Sequence, residues 1–209
     1  AATTQTTPYW VPGNNQAAVL YLPSSSDTIN ARAVNLLAAE WLSNPFYTQL
    51  RTEQQLGYVV AAVARNFYRL PGIAFVVQSP DYPIAAITAA VDDFLAAQPA
   101  LIDQLDSQTL ARLQASVVSR VVEQPKNLAE LNGRFFESLM FGSESFDFRS
   151  QVAAAVEQVS VIRLQEAVTR LSSQPQRWWI TAAPDLDQST RGKAKVKIDG
   201  YFTYPLNGR

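Results

Sequence analysis

Three features of the 209-residue chain predict an α+β fold. Short strand-like runs, Gln16 to Leu22, Tyr58 to Ala64 and Ile73 to Gln78, lie on either side of a first amphipathic helix. From Tyr82 to Leu171 the apolar residues recur instead at helical spacing. A last strand-like run, Arg177 to Ala182, follows. The order strand, helix, hairpin, run of helices, strand describes a two-layer domain. The hairpin requires antiparallel pairing, so a mainly antiparallel sheet is expected, one face covered by several long helices. No internal break suggests a second folded domain.

Residues 1–15 are polar and carry Pro8, Pro12 and Gly13, and are expected to be a linker or lead-in. The domain proper is placed at 16–184. Gln16 to Leu22 ends in Val19, Leu20, Tyr21, Leu22 before Pro23, a strand stopped by a residue that cannot donate to a ladder. Ser24, Ser25, Ser26 and Asp27 offer helix N-caps, and Ile29, Ala33, Leu36, Leu37 and Trp41 then mark a long amphipathic helix to about Ser43. Asn44-Pro45 can cap and restart a helix, which predicts a second, short, bent helix over Phe46 to Thr52 ending at Gly57. Tyr58 to Ala64 and Ile73 to Gln78 read as a hairpin with a long tip over 65–72. Four or five helices follow. Ile84, Ile87, Val91 and Phe94 line one, and Leu110, Leu113, Val117 and Val121 the next, with Asp106 or Ser107 as cap. Asn127 and Glu130 form a capping signature before Leu128, Leu131, Phe135 and Leu139, with Gly142 as the stop. Val152, Val156 and Val159 line a further helix, and Ser160 caps one carrying Val161, Leu164, Val168 and Leu171. Residues 185–209 form a tail in which Lys193, Lys195 and Lys197 alternate with apolar residues. A terminal hairpin with lysines guarding an edge fits that pattern, with anion binding as the other reading.

Composition excludes more than it suggests. With no histidine and no cysteine, the chain alone cannot build a Ser-His-Asp or Cys-His constellation, a zinc finger, an iron–sulfur cluster or a disulfide. Lys and Arg number 17 against 18 Asp and Glu, so no basic face for nucleic acid is expected. The apolar runs Ala17 to Leu22 and Tyr58 to Ala64 are far short of the ~18–20 residues that cross a bilayer, and a soluble chain with no membrane partner is expected. The sequence starts at Ala1 without an initiator Met, which is expected of a processed product or a piece of something longer.

The eight glycines form no phosphate-binding loop. Asp92 and Asp93 diverge around a helix and read as a solvated face. Asp185 and Asp187 lack the glycine and distal glutamate of a calcium loop. No spacing links a serine nucleophile to Lys126. Trp178 and Trp179 should point to opposite faces of a strand, so at least one is packing.

The segment from Asn44 to Val60 stands apart. A short helix ends, a glycine permits a turn, and Arg51 and Tyr58 bracket the start of a strand. A guanidinium is a planar fork of donors and a phenol a single directed donor, a pair suited to peptide carbonyls or a developing oxyanion. The alternative is structural: Arg51 pairs with Glu53 or Glu40, and Tyr58 merely covers the sheet.

The string Leu50-Arg51-Thr52-Glu53-Gln54-Gln55-Leu56-Gly57-Tyr58-Val59-Val60 closely resembles the Leu-Arg-Thr-x-x-Gln-Leu-Gly-Tyr-x-Val signature in the fourth, C-terminal domain of the pitrilysin/insulinase family of zinc metallopeptidases. The likeness extends more loosely over Gln16 to Ala183, including Phe75-Val76-Val77-Gln78-Ser79 and Asp92-Asp93-Phe94-Leu95. It implies a metallopeptidase/processing-peptidase-like fold and a clamshell enzyme whose two halves enclose unfolded peptides. In that family zinc and a glutamate base lie in the N-terminal half. The fourth domain supplies the Arg and Tyr that hold the substrate backbone and stabilise the tetrahedral intermediate, positions matched by Arg51 and Tyr58. Tyr47 matches a position that lines a substrate side-chain pocket. The resemblance thus implies zinc in the parent and none in this chain, an N-terminal zinc-bearing half as partner, peptide as substrate, and no activity for the isolated chain. A non-catalytic partner chain of the same fold, or part of a peptidase that matures a peptide-derived cofactor, are the alternatives. A periplasmic setting follows if the parent is like bacterial pitrilysin, a cytoplasmic one otherwise.

Overall fold

The computed structural model describes residues 3–67, 70–140 and 146–186. Among them are five strands in one sheet and six α-helices: β1 (Thr3–Trp10), β2 (Gln16–Pro23), α1 (Ile29–Tyr47), β3 (Val59–Phe67), β4 (Leu70–Ser79), α2 (Ile84–Ile102), α3 (Ser107–Val122), α4 (Leu128–Met140), α5 (Phe148–Glu157), α6 (Val161–Ser173) and β5 (Gln176–Ala183). A π-helical turn, Thr48–Glu53, follows α1. The sheet order is β1-β5-β2-β4-β3. Every pairing is antiparallel except β1 with β5. The α+β, mainly antiparallel architecture is therefore as the sequence predicts.

Strand register explains the layering. Leu20 lies opposite both Phe75 and Trp179, and Val60 opposite Val77. All of these face the helices and are buried, together with Ala18, Leu22, Ala62 and Ile73. Because successive side chains alternate, Val19, Tyr21, Val63 and Trp178 take the other face. Trp179 accordingly sits in the core while Trp178 lies against Tyr21, ring centroids 5.6 Å apart. On the helical side α1 contributes Ala33, Leu37, Leu42 and Phe46, α2 contributes Ile87, Val91 and Phe94, and α6 contributes Leu164, Val168 and Leu171. Phe46 packs edge-on to Phe75 at 5.3 Å and to Phe94 at 5.0 Å, joining α1, β4 and α2.

Several expectations are corrected. The stretch read as lead-in contains β1, an edge strand paired residue for residue with β5 from Thr3–Gln176 to Trp10–Ala183. Its threonines suit a strand, but the segment has no apolar stripe of its own to announce one. The first helix is capped by Thr28, whose Oγ1 accepts from the Ala31 N–H at 3.2 Å, rather than by the serines before it. Asp27 instead pairs with Arg32. That helix also does not break at Asn44-Pro45. It runs through Pro45 to Tyr47, anchored by the fully buried Phe46, and widens into the π-helical turn beyond. The hairpin strands are longer than expected, pairing out to Phe67 opposite Leu70. Tyr68 and Arg69, assigned to its tip, lie outside the described residues, as do Gly142, Asp187 and the lysine-bearing tail. By length and composition α2 is long and apolar enough to span a bilayer. Here its apolar face is packed in the core, and Asp92 on its outer side pairs with Arg177.

The predicted caps hold elsewhere. Asp106 Oδ1 accepts from the Thr109 N–H at 2.7 Å, and Ser160 Oγ from the Arg163 N–H at 3.2 Å. Asn127 Oδ1 accepts from the Glu130 N–H at 2.9 Å, while Glu130 accepts from the Lys126 N–H at 2.8 Å. Burial pushes the Tyr21 phenol pKa up, and its hydroxyl donates to the Leu70 carbonyl at 2.7 Å, tying β2 to the far end of the hairpin.

Candidate functional site

The motif residues gather where the first helix hands the chain to β3. Leu50 and Leu56 are buried and pin both sides of the turn. Between them the backbone closes with wide-ring bonds, Gln54 N–H to the Gln49 carbonyl at 3.0 Å and Leu56 N–H to the Leu50 carbonyl at 2.8 Å. Tyr47 and Arg51, four residues apart, share one face of this helical run. Tyr47 and Tyr58 are both 48% exposed.

Gly57 does not serve as the expected flexible turn residue. The left-handed backbone position is taken by Gln55, at φ 50°. What Gly57 supplies is space: a Cβ there would lie 2.2 Å from the Gln78 carbonyl oxygen. This close approach lets the Tyr58 N–H reach the same carbonyl at 3.0 Å, which starts the β3–β4 ladder and fixes where Tyr58 stands.

Tyr47, Arg51 and Tyr58 line one open depression of about 460 Å³, with Thr52, Gln55, Gly57, Pro80 and Asp81. Its far wall is held by the buried Ser79, whose Oγ accepts from the Asp81 N–H at 3.2 Å and the Tyr82 N–H at 3.1 Å. Thr52, Gln55, Pro80 and Asp81 were not singled out by the sequence reading. The first two sit inside the motif, and the last two arrive only through the hairpin register.

The structural alternative for Arg51 is not realised. Glu40 is engaged elsewhere, accepting from Ser116 at 2.7 Å and Arg120 at 2.8 Å. None of the ion pairs among the described residues includes Arg51, Glu53 or Asp81. A tighter cavity of about 210 Å³ lies elsewhere, under Arg32, Arg120 and Arg149. Each of those arginines is already paired with a carboxylate, and the cavity holds none of the motif residues.

Residues 36–136 match the family model described as PQQ synthase PqqF-like, C-terminal lobe domain 4. The chain is 28% identical over 137 residues to a nardilysin-like protein of Arabidopsis thaliana, covering 66% of this chain and 13% of that one. It is 25% identical over 178 residues to Protease 3 of Escherichia coli strain K12, covering 85% of this chain and 18% of the relative. These likenesses agree with the resemblance of the Leu50–Val60 motif to the pitrilysin/insulinase family. The crystal structure of pitrilysin shares the fold, with a TM-score of 0.75 at 23% identity over 92% of this chain and 20% of that one. The chain spans well under a quarter of the length of these relatives. Among its described residues no group of three or more acidic side chains stands close enough to hold a metal ion, and the chain has no His or Cys to add.

Proposed function

We propose that this domain holds peptide substrate for a zinc metallopeptidase of which it forms the C-terminal part. The observation that carries this reading is the convergence of Arg51, Tyr47 and Tyr58 on one depression, with Arg51 in none of the ion pairs among the described residues. The described residues offer no acidic cluster that fits a zinc ion, and in this reading the metal and the general base belong to an N-terminal half. In this reading the Arg51 guanidinium donates to substrate backbone carbonyls, staying charged at any working pH. The Tyr58 hydroxyl donates to the scissile carbonyl oxygen, where negative charge develops as it becomes tetrahedral. Tyr47 offers an aromatic wall to a neighbouring substrate side chain. Ser79 and Gly57 do not touch substrate; they hold the depression's far wall and the Tyr58 backbone in place.

Removing one preorganised donor to a developing oxyanion costs about 10²–10³ in rate. Arg51→Ala and Tyr58→Phe in the parent enzyme should therefore lower kcat/KM by about that factor with zinc content unchanged. Peptide cleavage left intact in both variants would overturn the assignment. The isolated chain should bind no stoichiometric zinc and cleave nothing.

The description of the matching family model favours a narrower version, in which the parent trims a small peptide precursor of a cofactor. Competition between such a precursor and unrelated unfolded peptides of equal length tests it. Equal cleavage of both would remove the narrower version and leave the general one.

A further inference from the structure

The depression around Arg51 carries opposite charges that do not neutralise each other. Of its lining residues Arg51 supplies the cation and Asp81 the carboxylate, and no ion pair among the described residues includes either. The cavity under Arg32, Arg120 and Arg149 differs, because its lining carboxylate, Glu137, is taken by Arg149 at 2.9 Å. An aspartate just past a strand commonly serves its own turn by hydrogen-bonding nearby backbone. That duty falls here to Ser79, whose buried Oγ accepts from the Asp81 and Tyr82 N–H groups at 3.2 and 3.1 Å. The Asp81 carboxylate accepts no hydrogen bond among the described residues, so the turn does not need its charge. Yet the charge is held in place. Pro80 and Pro83 restrict the backbone on both sides, and Gln16 Oε1 accepts from the Ile84 N–H at 2.8 Å where α2 begins.

We infer that Asp81 selects peptides carrying a lysine or arginine close to the segment held by Arg51, which makes basic peptides the preferred substrate class. The inference rests on the reading above, in which this depression holds substrate. A carboxylate only accepts, so its partner must be a donor, and a cation is the donor it binds most strongly. The phenol rings that line the same depression suit the same occupant. Tyr47 and Tyr58 are each about half exposed, and an aromatic face both attracts a cation and covers the long apolar stem of lysine or arginine. An acidic side chain in that place would be repelled by Asp81, and like charges across a contact discriminate against the wrong partner. Because the turn that bears Asp81 is already fixed, little of this discrimination is lost to ordering the wall.

Peptides that differ at a single residue test the assignment in the parent enzyme. In an otherwise uncharged peptide, lysine and then glutamate are placed in turn at each position around the cleaved bond, and kcat/KM is read as the lysine-to-glutamate ratio. At one position the ratio should reach about tenfold, mostly through KM, since a partly exposed ion pair gains roughly twofold to fivefold and the like-charge contact loses a similar factor. Added salt should shrink it. Asp81→Asn should bring the ratio to within about twofold of unity, Asp81→Lys should invert it, and Asp81→Glu should keep it. Any general loss of activity that a substitution causes cancels in the ratio. A ratio near one at every position in the native enzyme, or one that Asp81→Asn leaves unchanged, overturns the inference. The two readings fail separately: a ratio indifferent to Asp81 in an enzyme that still needs Arg51 and Tyr58 sinks the charge selection alone, whereas a ratio that follows Asp81 in an enzyme indifferent to Arg51 and Tyr58 sinks their substrate-holding role alone.

Discussion

Substituting Gly57 by alanine tests how the candidate site is held together. The added Cβ would stand 2.2 Å from the Gln78 carbonyl oxygen and 3.0 Å from its carbon, and these are backbone atoms of a core-lining strand that cannot swing aside. Relief therefore comes from moving the start of β3, which stretches the Tyr58 N–H bond to Gln78 from its 3.0 Å. Overpacking of this kind costs about 1–3 kcal/mol. Loss of the hydrogen bond adds about 1 kcal/mol. At about 2–4 °C per kcal/mol for a domain of this size, the melting temperature should fall by roughly 4–16 °C. Thermal unfolding followed by circular dichroism measures the shift, and exchange of the Tyr58 amide reports the bond. A variant that melts with the native chain and keeps Tyr58 protected would refute the packing argument and return Gly57 to the role of a flexible turn residue.

Two further outcomes are expected. Phe46→Ala empties the junction of α1, β4 and α2, where Phe46 touches Phe75 and Phe94 at 5.3 and 5.0 Å. It should cost about 3–5 kcal/mol in urea unfolding, and a loss under about 1 kcal/mol would mean that the helix is not anchored there. At Glu40, burial works to raise the carboxyl pKa, but hydrogen bonds from Ser116 and Arg120 and the charge of Arg120 outweigh it and hold the group below its ordinary value. Its stabilising contribution is thus complete at neutral pH and is lost as pH falls below about 4.5, where the unfolded chain takes up the proton first. The melting-temperature gap between the native chain and Glu40→Gln should be constant above about pH 6 and close in acid, whereas parallel curves down to pH ~3 would show that the contact between α1 and α3 is not electrostatic.

The sequence was legible where one element carries its own pattern. Gln16–Pro23, the five helices after Tyr82 and the caps at Asp106, Asn127 and Ser160 could be read locally, because alternation, helical spacing and capping are properties of a few adjacent residues. β1 could not, because what makes Thr3–Trp10 a strand is the partner β5, far along the chain. Asn44-Pro45 misled for a related reason. Locally the pair is a cap and a first helical residue, but the buried Phe46 holds the helix through it, and the π-helical turn begins only at Thr48. At the site, Arg51 and Tyr58 were visible through their chemistry and motif. Gln55 in a left-handed conformation was not, since nothing about glutamine announces a positive φ. Asp81 and Pro80 were missed because only the pairing of β3 with β4 brings them to Tyr58.

The unequal reach of the strand pairings has a kinetic side. The hairpin that bears Tyr58 closes on itself, with Phe67 opposite Leu70, whereas the far edge joins Thr3 to Gln176 across nearly the whole described chain. Closing a long loop costs chain entropy before its contacts are gained, so pairings distant in sequence form late. By sequence separation the β3–β4 unit and the helical turn beside it are expected to organise before the β1–β5 edge, an order that φ-value measurements on the two strand pairs would test. A nascent or partly opened chain can lose that edge while the segment presenting Arg51 and Tyr58 keeps its shape.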